Sequence, residues 1–124
     1  MKPLTIEKTD KTPYISLKDG VIQIYGRSIA EDPGKFYTPV MNWITEYGAN
    51  PASNTQINIR IEYSDTGSSK ALLDVLKLLD EIFLKDTNMI VNWYYEEGDD
   101  DMYDQGVYFK TFVNIPFNFI EFDE

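Results

Sequence analysis

The run Ile57-Asn58-Ile59-Arg60-Ile61-Glu62-Tyr63-Ser64-Asp65-Thr66-Gly67-Ser68-Ser69-Lys70 changes its period in the middle, and that change decides the fold. Ile57, Ile59, Ile61 and Tyr63 recur every second residue, with Asn58, Arg60 and Glu62 between them. This is the period of a strand with one dry face, expected over residues 57–63. Beyond Lys70, the apolar positions Leu72, Val75, Leu76, Leu79 and Phe83 fall at helical spacing and form one stripe, which predicts a helix over 68–85. Between the two periods stand an acid, a glycine and four hydroxyls (Ser64, Thr66, Ser68 and Ser69), all at the mouth of that helix.

Upstream, Ile15 and Leu17 precede an Asp19-Gly20 pair, and Ile22 and Ile24 follow it. Asp-Gly tolerates the positive φ of a tight turn, so residues 14–26 read as a β-hairpin. Asp32-Pro33-Gly34 breaks that pattern. A helix is expected over 35–47, with Phe36, Val40, Trp43, Ile44 and Tyr47 on one face. Pro39 is placed in its first turn, where a missing N–H costs little. Residues 48–55 carry Gly48 and Pro51 and read as a loop.

Downstream, Ile90, Val91, Trp93 and Tyr95 mark a strand over 89–95. Glu96-Glu97-Gly98-Asp99-Asp100-Asp101 interrupts it, and Asp99 or Asp100 is expected to cap a third helix running to about Phe112. Pro116 ends that region, and Phe117, Phe119 and Phe122 supply a last strand. The polar side of the helix over 68–85 carries Lys70, Asp74, Lys77, Glu81 and Lys85. Pairs at that spacing contribute only ~0.2–0.5 kcal/mol each, which describes a solvated face.

The expected order is therefore β-β-α-β-α-β-α-β. Short strand–helix–strand connections imply parallel strands and right-handed crossovers, and the alternating strands leave one sheet face wet. The economical picture is a two-layer α/β domain spanning residues 1–124, a mixed sheet with its helices mainly on one face. In such a unit the loops after two parallel strands emerge on one rim. The hydroxyl-rich junction and the acidic loop at 96–101 are thus expected to be neighbours.

The 124 residues are enough to bury a core, and 43% hydrophobic with 26% charged residues is ordinary for a soluble globular chain. The absence of cysteine excludes thiol chemistry, and the absence of histidine removes the commonest metal ligand and general base. With 11 basic and 21 acidic residues the net charge is −10, which repels phosphate backbones and anionic lipid. Nucleic acid and membrane are therefore poor partners. Charges near the N-terminus, at Lys2, Glu7 and Lys8, interrupt any signal-like apolar run, so the expected location is the cytoplasm.

Four readings of the junction compete. Asp65 or Thr66 caps the following helix, which accounts for one side chain and not for four hydroxyls. Asp65-Thr66-Gly67-Ser68-Ser69 also matches, letter for letter, the catalytic loop of aspartic proteases. That chemistry needs two aspartates sharing a proton, hence a symmetric dimer of this chain, and here a helix follows at once. A third reading gives Asp65 and the acidic loop a Mg²⁺ ion, although the EF-hand spacing fails because Lys110 stands where the final Glu belongs. The fourth is reversible phosphorylation of a hydroxyl at the helix entrance. A phosphate there finds free backbone N–H groups and the positive end of the helix dipole.

The motifs Thr12-Pro13, Tyr25-Gly26-Arg27-Ser28, Phe36-Tyr37-Thr38-Pro39-Val40, Trp43-Ile44, the junction from Tyr63 to Lys70, Trp93-Tyr94-Tyr95-Glu96, Asp100-Asp101-Met102 and Pro116-Phe117 together resemble the SiaC family of regulatory phosphoproteins. The resemblance implies a fold like that of anti-sigma-factor antagonists (STAS-like) and a partner switch with no catalytic or metal residues and no cofactor. It implies a Ser/Thr kinase of the histidine-kinase-like fold, a PP2C-type phosphatase and a downstream effector, a diguanylate cyclase in the biofilm pathway, bound by the unphosphorylated form. The family's acceptor threonine falls on Thr66. The family's usual Asn-Thr-Ser-Ser-Ser-Lys is here Asp65-Thr66-Gly67-Ser68-Ser69-Lys70, which puts a negative charge beside the acceptor and brings Ser68 and Ser69 in as alternative acceptors. Ser68 and Ser69 are expected to hold the phosphate through their N–H groups and Lys70 to screen it. Tyr94, Glu96, Asp100 and Asp101 are the expected neighbouring partner surface. Tyr63, Trp93 and Tyr95 are expected in the core.

Overall fold

The computed structural model describes residues 1–85 and 87–123. In chain order its elements are β1 (Leu4–Ile6), β2 (Tyr14–Lys18), β3 (Val21–Ser28), α1 (Pro33–Tyr47), β4 (Asn54–Ser64), α2 (Thr66–Phe83), β5 (Asn88–Glu96), α3 (Asp100–Lys110) and β6 (Phe117–Phe122). The strands form one six-stranded sheet in the order β1-β2-β3-β4-β5-β6. β1, β2 and β3 pair antiparallel, and β3, β4, β5 and β6 pair parallel through the three helices.

Directly paired residues share a sheet face, so the registers trace rows across the whole sheet. One row is Ile6, Ile15, Ile24, Ile59, Trp93 and Phe119. A parallel row runs from Leu17 through Ile22, Ile57 and Val91 to Phe117. These rows and the buried helix residues Val40, Ile44, Leu72, Leu76 and Leu79 make one core. The rows between them, such as Gln23, Asn58, Asn92 and Asn118, face away from the helices. There the Asn92 amide donates to Asn58 Oδ1 at 2.8 Å and to Gln56 Oε1 at 2.9 Å. The strand alternation thus maps onto one apolar and one polar sheet face.

Three expectations need correction. β1 is an additional strand: its three residues are too few to show a period, and Leu4 and Ile6 gain their apolar row only by pairing with Leu17 and Ile15. α1 begins at Pro33 and not at residue 35, because Asp32 Oδ1 accepts from the Lys35 N–H at 3.1 Å and Pro33 suits the first helical position. Pro39 consequently lies in the second turn, on the exposed side, where water can serve the carbonyl it leaves unpaired. The buried stripe of α1 is Tyr37, Val40, Trp43, Ile44 and Tyr47, so Tyr37, with its hydroxyl 2.8 Å from Ser28 Oγ, takes the core place expected of Phe36, which is half-buried.

The third correction concerns Tyr63, which is 55% exposed. Gly26 pairs with Ile61 but Arg27 pairs with Tyr63, so Glu62 is an extra residue in β4. Gly26 supports the irregularity with φ +123°. A one-residue slip turns every later side chain over. Tyr63 moves to the face of Arg27, and Ser64 joins Ser28 on the helix side. Trp93 is fully buried, and Tyr95 is half-buried against Tyr103.

Candidate functional site

The bulge in β4 is what delivers Ser64 to the helix layer. The chain then leaves the strand through Asp65, which is extended (φ −84°, ψ 175°) and caps α2. Its backbone N–H donates to Ser28 O at 3.3 Å, its Oδ1 accepts from the Ser68 N–H at 2.9 Å, and its carbonyl accepts from the Ser69 N–H at 2.9 Å. The N–H groups expected to hold a phosphate at Ser68 and Ser69 are therefore already engaged. The helix itself leaves the N–H groups of Thr66 and Gly67, its first two residues, without an intrahelical acceptor.

The hydroxyls of the junction have separate fates. Thr66 is exposed, as is Gly67. Ser68 is fully buried, and its Oγ has no hydrogen-bond partner among the described residues. Ser69 is half-buried, with Oγ 2.7 Å from Ser64 Oγ and accepting from Gln105 Nε2 at 2.7 Å. Gln105 Nε2 also reaches Ser64 Oγ at 3.2 Å. Lys70 is exposed and 3.3 Å from Asp74, a surface pair one turn on. Gly67 is the second residue of α2. It sits inside α2 against α1, where an added Cβ would lie 3.3 Å from Pro33 Cγ.

The contact between the junction and α3 runs through Gln105, a residue outside the expected site. The acidic loop itself serves α3: Asp99 Oδ1 accepts from the Met102 N–H at 3.0 Å, and Asp100 and Asp101 lie in the first turn, at the positive end of the helix. Among the described residues, no group of three or more Asp, Glu, His or Cys side chains gathers in a way that could hold a metal ion.

Beside Thr66 a cavity of about 390 Å³ opens between α2 and α3, lined by Thr66, Ser69, Lys70, Leu73, Tyr108 and Phe109 among others. Tyr108 is 59% exposed there, and its ring meets Phe112 edge-on at 5.0 Å. Neither aromatic was among the expected site residues, although their four-residue spacing on the third helix is visible in the sequence.

The four residues expected as one partner surface are divided between two faces. Tyr94 pairs with Arg60 and Ile120 on the open sheet face, and Glu96 lines a second cavity there, about 410 Å³, with Tyr25, Arg60, Glu62 and Phe122. Asp100 and Asp101 lie on α3, in the helix layer. On the open face the Arg60 guanidinium lies 3.8 Å from the Phe122 ring centroid. Burial and then the nearby Tyr94 push the Tyr25 hydroxyl up from its ordinary range, while Arg60 pulls it down.

Comparison with known proteins gives a consistent picture. A family model described as SiaC family regulatory phosphoprotein matches residues 6–122. An uncharacterized protein of Pseudomonas aeruginosa (strain UCBPP-PA14) is 25% identical over 126 residues, covering 100% of both chains. The fold is similar to that of apo-SiaC from Pseudomonas aeruginosa, with a TM-score of 0.87 and 24% identity over 97% of this chain and 99% of that one. It is likewise similar to a chain in the crystal structure of the diguanylate cyclase SiaD in complex with its activator SiaC from the same organism, with a TM-score of 0.86, 24% identity, and 96% and 99% coverage.

Proposed function

Because the chain belongs to the SiaC family of regulatory phosphoproteins, we propose that it is a non-enzymatic partner switch thrown by phosphorylation of Thr66. The unmodified protein binds and regulates an effector, and the relative in complex with a diguanylate cyclase makes that enzyme class the first candidate. A Ser/Thr kinase adds the phosphate, and a PP2C-type phosphatase removes it, as the family resemblance implies.

The observation that carries this reading is the exposure of Thr66 at the first position of α2, on the wall of the α2–α3 cavity. A kinase can reach that hydroxyl. It cannot reach Ser68, which is fully buried, and Ser69 is tied to Ser64 and Gln105. A phosphate on Thr66 has the N–H groups of Thr66 and Gly67 and the helix dipole to hold it. It adds ~1.5–2 negative charges at the mouth of the cavity. A partner docked there would have to desolvate a dianion, and ~3 kcal/mol lost in this way weakens binding more than a hundredfold.

The aspartic-protease alternative finds no support in the geometry. Asp65 spends its carboxylate on the helix cap, and its loop opens an α-helix in a mixed sheet. The test is an intact-mass and binding comparison of wild type, Thr66→Ala and Thr66→Glu with the kinase and effector. Thr66→Ala is expected to take up no phosphate and still bind, and Thr66→Glu to bind more weakly. Full effector affinity in Thr66→Glu, together with undiminished phosphorylation of Thr66→Ala, would refute the reading.

A further inference from the structure

The cavity on the open sheet face, about 410 Å³, has the size of a small-ligand site. Ligands of open α/β sheets favour the carboxyl ends of the parallel strands. This cavity draws on those ends: Gly26 in β3, Arg60 and Glu62 in β4, Glu96 in β5 and Phe122 in β6. Its floor is aromatic. Tyr14, Tyr25, Arg60 and Tyr94 are successive register partners across β2, β3, β4 and β5, so three phenol rings flank the guanidinium in one half-buried row. The guanidinium in turn lies 3.8 Å from the Phe122 ring centroid. Held by its face on a ring, a guanidinium keeps its N–H edge for oxygen acceptors, and its several donors can take a ligand carboxylate beside any partner within the chain.

The chain is net −10, yet the charges in this cavity balance. Lys8 and Arg60 stand against Glu62 and Glu96, while the third acid, Asp99, is spent on the cap of α3, where it accepts from the Met102 N–H at 3.0 Å. The β1–β2 connection folds over Gly26, where an added Cβ would lie 3.9 Å from Lys8 Cδ, and this brings Lys8 to the rim. A polyanion would meet Glu62 and Glu96, and a polyamine would meet Lys8 and Arg60, so both are disfavoured. A ligand with one charge of each sign beside a ring satisfies the whole lining. We propose that the open-face cavity binds a free aromatic α-amino acid, its carboxylate on Arg60 and Lys8, its ammonium on Glu62 and Glu96, and its ring on Tyr14 and Tyr25. The site lies across the sheet from α2 and does not depend on the Thr66 switch.

The test is isothermal titration calorimetry of the full chain with phenylalanine, tyrosine and tryptophan. At least one is expected to bind with a Kd below about 1 mM. Phenylacetate, phenethylamine and alanine, which lack in turn the ammonium, the carboxylate and the ring, are each expected to bind at least tenfold more weakly. Arg60→Met and Glu62→Gln/Glu96→Gln are each expected to raise Kd at least tenfold, and Lys77→Gln, on the solvent side of α2, less than twofold. Thermal melts verify that each variant is folded, and Arg60→Lys, which keeps the charge, is expected to fall between wild type and Arg60→Met. The site is overturned if none of the three amino acids binds below about 1 mM. It is equally overturned if phenylacetate or phenethylamine binds as tightly as the best of them, or if either charge variant leaves Kd unchanged.

Discussion

At the scale of single residues, the site depends on which hydroxyl points where. Four hydroxyls at a helix mouth are legible in the sequence, but their burial is not, because it is set by one bulge in β4 and by the first turn of α2. Ser64 reaches the helix layer beside Ser28 through that bulge, and Tyr63 leaves the core through it. No periodicity in 57–63 signals a slipped register, so Tyr63 reads as core from sequence alone. Ser68 shows the consequence most plainly, since its hydroxyl is fully buried without a partner among the described residues. An unpaired buried hydroxyl costs about 1–3 kcal/mol, so Ser68→Ala is expected to leave stability unchanged or raise it by up to ~1 kcal/mol. Urea unfolding checks this. A loss of more than ~1 kcal/mol would mean that the hydroxyl is paired in solution.

At the scale of elements, α3 is held to the sheet by a close approach. Gly106 lies in the helix interior, and a Cβ there would come within 2.5 Å of Trp93 Nε1 and 2.8 Å of Phe119 Cε1. Trp93 also donates from Nε1 to the Met102 carbonyl at 2.9 Å. Gly106→Ala would normally favour a helix, but here it is expected to cost at least ~2 kcal/mol by overpacking and by displacing the tryptophan. A lower melting temperature with an altered tryptophan emission is the expected result, and a stabilised variant would contradict the packing. The three helices and the strands they connect were legible because their apolar stripes are long. β1 was not, because three residues carry no period, and the start of α1 was missed because the Asp32 cap outweighs the signal of Pro39. Gln105 and Tyr108 were invisible as site residues because only the folded α3 brings them beside α2.

At the scale of the whole molecule, one sheet face is a packed core and the other is open, and the proposed switch lies at one end of the helix layer. That layer is joined to β3 at the junction partly by Tyr37, whose hydroxyl, buried against Ser28, is pushed up to about 12, chiefly by burial. The neutral phenol is the form the fold favours. Its contribution is complete below pH 10, the ordinary tyrosine value, and is lost as the pH rises toward 12, because the unfolded chain ionises first. The loss is on the order of 2–3 kcal/mol. Tyr37→Phe lacks this dependence, so its stability deficit relative to wild type is expected to shrink between pH 9 and pH 11.5 by urea unfolding. Parallel curves would contradict the burial.

The whole-molecule fold class followed from the order of periods and from the family motifs. The partner surface did not, because Tyr94 and Glu96 are close in sequence to Asp100 and Asp101 yet lie on the opposite side of the sheet from α3. The central claim is that phosphate on Thr66 closes the helix layer to the effector. Its most direct measurement is the Kd of the effector for protein carrying phosphothreonine stoichiometrically at position 66, against the same protein unmodified. The account predicts a loss of about a hundredfold or more, matching ~3 kcal/mol. Equal affinities would contradict it.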